Sequence, residues 1–188
     1  MPCSCGRMHT LALDAESQVW TFRNWGRPFR LDTPLFTTTE GSTVVQVESG
    51  WMFCSALMDS GDVYVWWPFN NPIHTMHGAH MREMDQDDTK AAKLSEDGVI
   101  PAVTWDLTYN PVKLPKLPDL PELEVDKDDS TEEKPALKLV KIAGMDNVLI
   151  GLTNRGHVVK FGGLTNEGNM QVNRWEYVSF ISSIVRQH

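Results

Sequence analysis

The segment Gly6–Leu13 (GRMHTLAL) returns 44 residues later as Gly50–Leu57 (GWMFCSAL), and the same offset pairs Val19 with Val63, Trp20 with Tyr64 and Phe22 with Trp66. A third copy lies 95 residues further on: Val45 and Val47 map onto Val140 and Ile142, Ala56 and Leu57 onto Gly151 and Leu152, Gly61 onto Gly156, Val63 onto Val158, and Trp66 onto Phe161. The early glycine is displaced by one position there, Gly144 standing against Gly50. Such self-similarity constrains the fold strongly, because each copy must form one supersecondary unit that packs on its neighbours.

The units read as short antiparallel strands. Val44–Val47 (VVQV) and Leu139–Ile142 (LVKI) are runs of strand character, rich in β-branched residues. A second run, such as Cys54–Leu57, leads into a turn, Met58–Asp62 (MDSGD) or Thr153–His157 (TNRGH), and a returning strand, Val63–Trp66 or Val158–Phe161. The turn glycine accepts positive φ at no steric cost. Ser17 takes its place in the first copy, which weakens that hairpin. A stranded unit recurring every 40 to 50 residues or so points to a propeller blade. The expected fold is therefore all-β: an incomplete β-propeller of about three blades with a long acidic insertion. Ala12, Ala56 and Gly151 share one position, expected on the side where blades approach closely. The expected divisions are 1–67 for the first two repeats, 68–136 for the insertion, 137–163 for the third repeat and 164–188 for an irregular C-terminal segment.

Charge belongs to the insertion. Fifteen of the 25 acidic residues and seven of the 17 basic ones lie between Arg82 and Lys134, so this window carries the whole formal charge of −8. A neutral scaffold with no basic cluster argues against broad nucleic-acid binding. No apolar run reaches the eighteen or so residues of a membrane helix, and the N-terminus lacks the pattern of a signal peptide. Cys3, Cys5 and Cys54 are too few and scattered for a disulfide framework. The expected location is intracellular, cytoplasmic or nuclear.

The repeat resembles that of the regulator of chromosome condensation family, in which a glycine, His-Thr or Ser, Leu-Ala-Leu, a turn glycine and Val-x-x-Trp recur. Gly6, His9, Thr10, Leu11, Ala12, Leu13, Val19, Gly50, Ala56, Leu57, Gly61, Val63 and Trp66 carry the pattern, while the third copy has Val148 and Leu149 in place of His-Thr. Gly156 and Phe161 complete the repeat set. Gly6–Thr10, Trp25–Arg30, Gly61–Phe69 and Trp175–Tyr177 are also similar to stretches of fungal F-box proteins of the SCF-associated factor type. That resemblance implies a protein-binding propeller presenting substrates to a ubiquitin ligase, with Skp1 and the cullin reached only through an F-box that this chain does not contain. An alternative within the wider family is guanine-nucleotide exchange on a small GTPase. Three blades are fewer than the four to eight or so with which propellers close. The expectation is a fragment of a longer ring.

Candidate sites are few. Arg23, Trp25, Arg27, Phe29 and Arg30 cluster arginine with aromatic residues, the types that dominate protein-interface hot spots. The competing reading has Trp25 capping the blade and the arginines paired with nearby carboxylates. His9 is expected to hydrogen-bond within its blade rather than to bind metal with Cys3 and Cys5, and Cys54 to be a small apolar filler. His74, His77 and His80 sit three apart, but no cysteine or carboxylate motif completes a metal site, and an exposed polar loop is expected there. Leu114–Pro121 (LPKLPDLP) favours extended backbone and could serve as a docking strip. Ser130, followed by Thr131, Glu132 and Glu133, is a candidate phosphosite for an acid-directed kinase. Phe161–Gly168 is glycine-rich without a Walker lysine or Rossmann spacing, and no nucleophile elbow is present. No catalytic residue, metal or cofactor is assigned, and the expected class is not an enzyme.

Overall fold

The computed structural model describes residues 2–36, 41–87, 90, 94–99, 102–121, 135–166 and 174–179. Ser130 lies outside them. Thirteen strands and one α-helix follow in order: β1 (Cys3–Cys5), β2 (Thr10–Leu13), β3 (Val19–Phe22), β4 (Phe29–Asp32), β5 (Val44–Ser49), β6 (Cys54–Met58), β7 (Val63–Trp66), α1 (Asn71–Gln86), β8 (Trp105–Thr108), β9 (Val112–Lys113), β10 (Leu139–Met145), β11 (Val148–Thr153), β12 (Val158–Phe161) and β13 (Glu176–Tyr177). They form three sheets in the orders β1-β2-β3-β4-β8, β5-β6-β7-β9 and β10-β11-β12-β13. Each has four antiparallel strands, and β8 adds a fifth, parallel, strand beside β4. This is an incomplete propeller of three blades.

The repeat is exact down to single hydrogen bonds. Asp14, Met58 and Thr153 each donate their N–H to the carbonyl four residues on, at 3.1, 2.8 and 2.9 Å. The residue before that acceptor is left-handed every time: φ is 60° at Ser17, 89° at Gly61 and 80° at Gly156. The serine therefore holds the conformation that glycine adopts freely, at a steric cost of about 1 kcal/mol or more. A register shift also recurs, between Val44 and Gln46 and again between Leu139 and Lys141. These bulges turn Val45 and Val140 outward, which is why both are exposed in otherwise well-packed strands.

Period-two alternation gives every blade two packing faces. Leu11, Leu13, Val19 and Phe29 of the first blade pack against Val47, Cys54, Ala56, Tyr64 and Trp66 of the second. Phe53, Leu57, Val63 and Val65, on the other face of the second blade, pack against Ile142, Leu149, Val159 and Phe161 of the third. The small-residue position lies where expected: Ala56 is fully buried against the first blade, and a Cβ on Gly151 would meet Leu139 Cδ2 at 2.6 Å. Gln46 locks the inner strands together, its amide pairing with the N–H and C=O of Ile142 at 3.0 and 2.7 Å.

Residues 68–136 hold more structure than a linker. Residues 71–86 are the helix α1, so His74, His77 and His80 do not lie on an exposed polar loop. The Asn70 side chain caps α1 by accepting from the Ile73 N–H at 3.0 Å, and Pro72 suits the first turn. Ile73, His77 and Met84 form the buried stripe of the helix. Val112–Lys113, expected to lead into a blade, is instead the outer strand of the second blade, pairing with Val65 and Tyr64. The boundary at 67 thus falls inside that blade. The strip 114–121 is used internally: Leu114 is buried, Leu117 and Leu120 pack on the interface between the second and third blades, and Trp175 Nε1 donates to the Pro115 carbonyl at 3.0 Å. Trp175 and β13 make the segment after 163 part of the third blade rather than an irregular end.

The turn geometry predicts opposite outcomes at equivalent sites. Ser17→Gly should raise unfolding free energy by about 0.5–1 kcal/mol. Gly61→Ala should lower it by about 1–2 kcal/mol, because its Cβ would also meet Lys138 Cβ at 2.6 Å. Urea titrations of the two variants check the signs.

Candidate protein-binding face

The loops joining the first two strands of each blade lie at one end of the sheet stack. Gly6 and Gly50 close the first two by donating to the carbonyls of His9 and Phe53 at 2.9 and 3.0 Å. Successive loops are stapled together: Arg7 N–H donates to the Trp51 carbonyl at 3.2 Å, and Trp51 N–H to the Asp146 carbonyl at 2.7 Å. Residues 7, 51 and 146 occupy one repeat position, so the contact climbs from blade to blade. The approach leaves no room for side chains at the glycines: a Cβ on Gly6 would meet the Gly50 carbonyl oxygen at 2.7 Å.

His9 belongs to this joint. Its Nε2 lies 3.2 Å from the Phe53 carbonyl, the equivalent residue of the next blade. The histidine therefore ties two blades together, instead of bonding within its own. Burial lowers its pKa, so the ring is neutral at pH 7 and Nε2, facing a carbonyl acceptor, carries the proton.

The stapled loops carry large apolar side chains outward. Met8 is 64% exposed, Trp51 49% and Met145 58%. The Arg7 guanidinium lies 5.3 Å from the Trp51 ring centroid, in a cation–π contact. A groove of about 540 Å³, lined in part by Arg7, Met8, Phe22, Trp25 and Pro28, connects this ridge to Trp25. Exposed apolar side chains in such a contiguous arrangement mark interaction surfaces.

The arginine–aromatic cluster divides. Trp25 is 88% exposed and does not cap the blade. Phe29 is fully buried, between the rings of His77 and Trp105 at 5.9 and 5.3 Å, and is a core residue rather than a contact residue. Arg27 is buried and pairs with Asp85 at 2.7 Å. Arg30 makes a two-pronged bond to Asp106 at 2.9 and 2.7 Å, and that hydrogen bond raises its pKa. Half-buried Arg23 lies 4.5 Å from the Phe69 ring centroid, with Nη2 3.2 Å from His74 Nδ1. Sequence reasoning missed Met8, Trp51 and Met145, although the repeat alignment puts the first two in matching loops. Cys3 and Cys5 are exposed, and Cys54 is buried, which pushes its thiol pKa up. Among the described residues, no three His, Cys, Asp or Glu side chains are grouped to hold a metal ion.

No family model matches the sequence, and no curated protein matches it. Solved structures do resemble it. The chain is similar to yeast RCC1 (Prp20) in its crystal structure bound to Kap60, with a TM-score of 0.50 and 19% identity over 94% of this chain and 37% of that one. The fold is an RCC1-like propeller. A structure of Prp20p from Saccharomyces cerevisiae, described with its binding to Gsp1p and histones, gives a TM-score of 0.48, 19% identity, and coverage of 93% and 37%. Human WBSCR16 gives 0.47, 15%, and 86% and 34%. The chain thus spans little more than a third of the length of these RCC1-like proteins. No helix among the described residues is long and apolar enough to cross a membrane.

His77 gives the fold a pH dependence. Burial, then repulsion from Arg23, lowers its pKa from 6.5 to about 4. Between those values the unfolded chain binds more protons than the folded one. The stability contributed by neutral His77 is complete above pH 6.5 and is lost as the pH falls towards about 4. His77→Phe, which keeps a ring against Phe29 and Trp105, should flatten the decline of the urea midpoint between pH 7 and 4.5; an unchanged slope would assign it to other groups.

Proposed function

We propose that this chain is a non-catalytic protein-binding propeller module whose partner sits on the loop ridge of Met8, Trp51 and Met145. One observation carries the reading: three repeat-equivalent loops, stapled by backbone hydrogen bonds, each expose a large apolar side chain at the same end of the blades. The stapling holds the ridge rigid, which lowers the entropic cost of binding. Trp25 extends it across the groove, and Arg7 adds a cation beside the Trp51 ring.

For the partner, guanine-nucleotide exchange on a small GTPase is the reading that the likeness to RCC1 favours. Such a module accelerates nucleotide release by binding alone, and needs no catalytic residue of its own. Substrate recognition for an SCF-type ubiquitin ligase rests on the short sequence stretches alone. The RCC1 structure bound to Kap60 is itself a complex between proteins, which supports the broader protein-binding reading.

Release of fluorescent GDP from a panel of small GTPases, with the chain in excess, tests the proposal. At least one member should release nucleotide faster by tenfold or more. Trp51→Ala should remove that acceleration while leaving thermal unfolding cooperative, since a central tryptophan contributes about 2 kcal/mol or more at interfaces. Binding without faster release would sink the exchange reading and leave the binding module standing. Equal binding by the parent and by a Met8→Ser/Trp51→Ala/Met145→Ser variant would move the interface elsewhere.

A further inference from the structure

The two internal interfaces show what each blade face packs against. The face turned to the preceding blade carries Val47, Cys54, Ala56, Tyr64 and Trp66 in the second blade, and Ile142, Leu149, Gly151, Val159 and Phe161 in the third. The same repeat positions in the first blade are Cys3, Thr10, Ala12, Trp20 and Phe22. No blade covers these. Cys3 is exposed, and Thr10, Trp20 and Phe22 are half-buried. The groove of about 540 Å³ runs along this face, lined by Cys3, Thr10, Ala12 and Phe22 among others.

The opposite face is equally well defined. Leu13 and Val19 in the first blade, and Leu57 and Val63 in the second, are buried against the blade that follows. The third blade keeps the identical pair, Leu152 and Val158, beside Ile150 at the position of Leu11. Leu152 and Ile150 are half-buried, with no following blade to cover them. Leucine and valine thus stand at these two positions in all three copies, but only two copies have a neighbour to pack against.

One chain therefore carries both halves of the interface it uses twice internally. We propose that two copies of this chain associate head to tail, the Ala12 and Phe22 face of the first blade packing on the Leu152 and Val158 face of the third. The loop staple continues through the joint: Arg7 donates to Trp51 and Trp51 to Asp146, so the next step places the Asp146 N–H at the Arg7 carbonyl of the second copy. Blade number selects a second copy as the occupant. Three blades fall below the four to eight or so of closed propellers, whereas two chains joined at both ends form six. A head-to-tail contact used twice closes on a two-fold axis and leaves no blade face open.

Sedimentation equilibrium of the full chain over micromolar concentrations tests this. The expected mass is twice the 21.3 kDa of one chain. Phe22→Asp and Leu152→Asp should each weaken the dimer on the order of 100-fold, because each buries an unpaired carboxylate at both joints. Thr10→Arg, at a half-exposed site on the same face as Phe22, should do so without touching a large core side chain. Cooperative thermal unfolding confirms that each variant folds. Mixing the Phe22→Asp and Leu152→Asp chains should restore association, because their two intact faces form one joint. A chain that stays monomeric at every concentration overturns the proposal. A dimer that survives either substitution, or a mixture that stays monomeric, does the same.

Discussion

Everything in this molecule depends on one sheet face burying itself against the next. A four-stranded blade has apolar side chains on both faces, and solvating either would forfeit the burial that offsets the entropy of ordering the chain. The consequence is a stack in which the second blade, with Trp66 on one side and Phe53, Leu57 and Val65 on the other, is buried on both faces. At the loop end the sheets come so close that backbone meets backbone: Trp51 bonds to both neighbouring loops, and Gly6 and Gly144 lie against the chain of the second blade. The polar clamp of Gln46 on Ile142 does the same between inner strands, satisfying backbone groups that the bulge frees from the ladder.

That packing explains where an interaction surface can form. Side chains within the strands are committed to neighbouring blades, so the positions left for a partner are the loops at the ends. The repeat then multiplies whatever a loop exposes, and Met8, Trp51 and Met145 make a ridge because their loops are stapled in series. The helix works in the other direction. It covers the side of the first blade, ties Arg27 to Asp85 and stacks His80 on Trp105 with ring centroids 3.9 Å apart, using side chains that would otherwise be exposed.

Legibility followed the repeat. The strand pairs, the turn with its left-handed residue, the small-residue position and the all-β class could be read because three copies obey the same steric rules. Ser17 stood out as the exception and proves to share the φ of its glycine equivalents. Outside the repeat, reading was poorer. The helix was marked by Asn70 and Pro72 at its start, but its buried stripe of Ile73, His77 and Met84 contains a histidine, which a polar reading of 74–80 discounts. The outer strand Val112–Lys113 is two residues long, too short for period-two alternation to declare it. Arg23 to Arg30 looked like one surface cluster, yet strand alternation sends Phe29 inward and leaves Arg30 at the edge beside Asp106.

The sequence by itself determined the blade: its strands, its turns and the alternation that gives it two apolar faces all follow from local sterics and from the identity of neighbouring residues. Only the tertiary structure decided which side chains remain for other molecules. His9 bonds across blades, Phe29 is core, Arg27 and Arg30 are neutralised by Asp85 and Asp106, and Trp51 is exposed. The reason is physical: exposure and charge pairing are settled by contacts between residues some 40 to 75 positions apart, and no local pattern encodes which distant surface arrives.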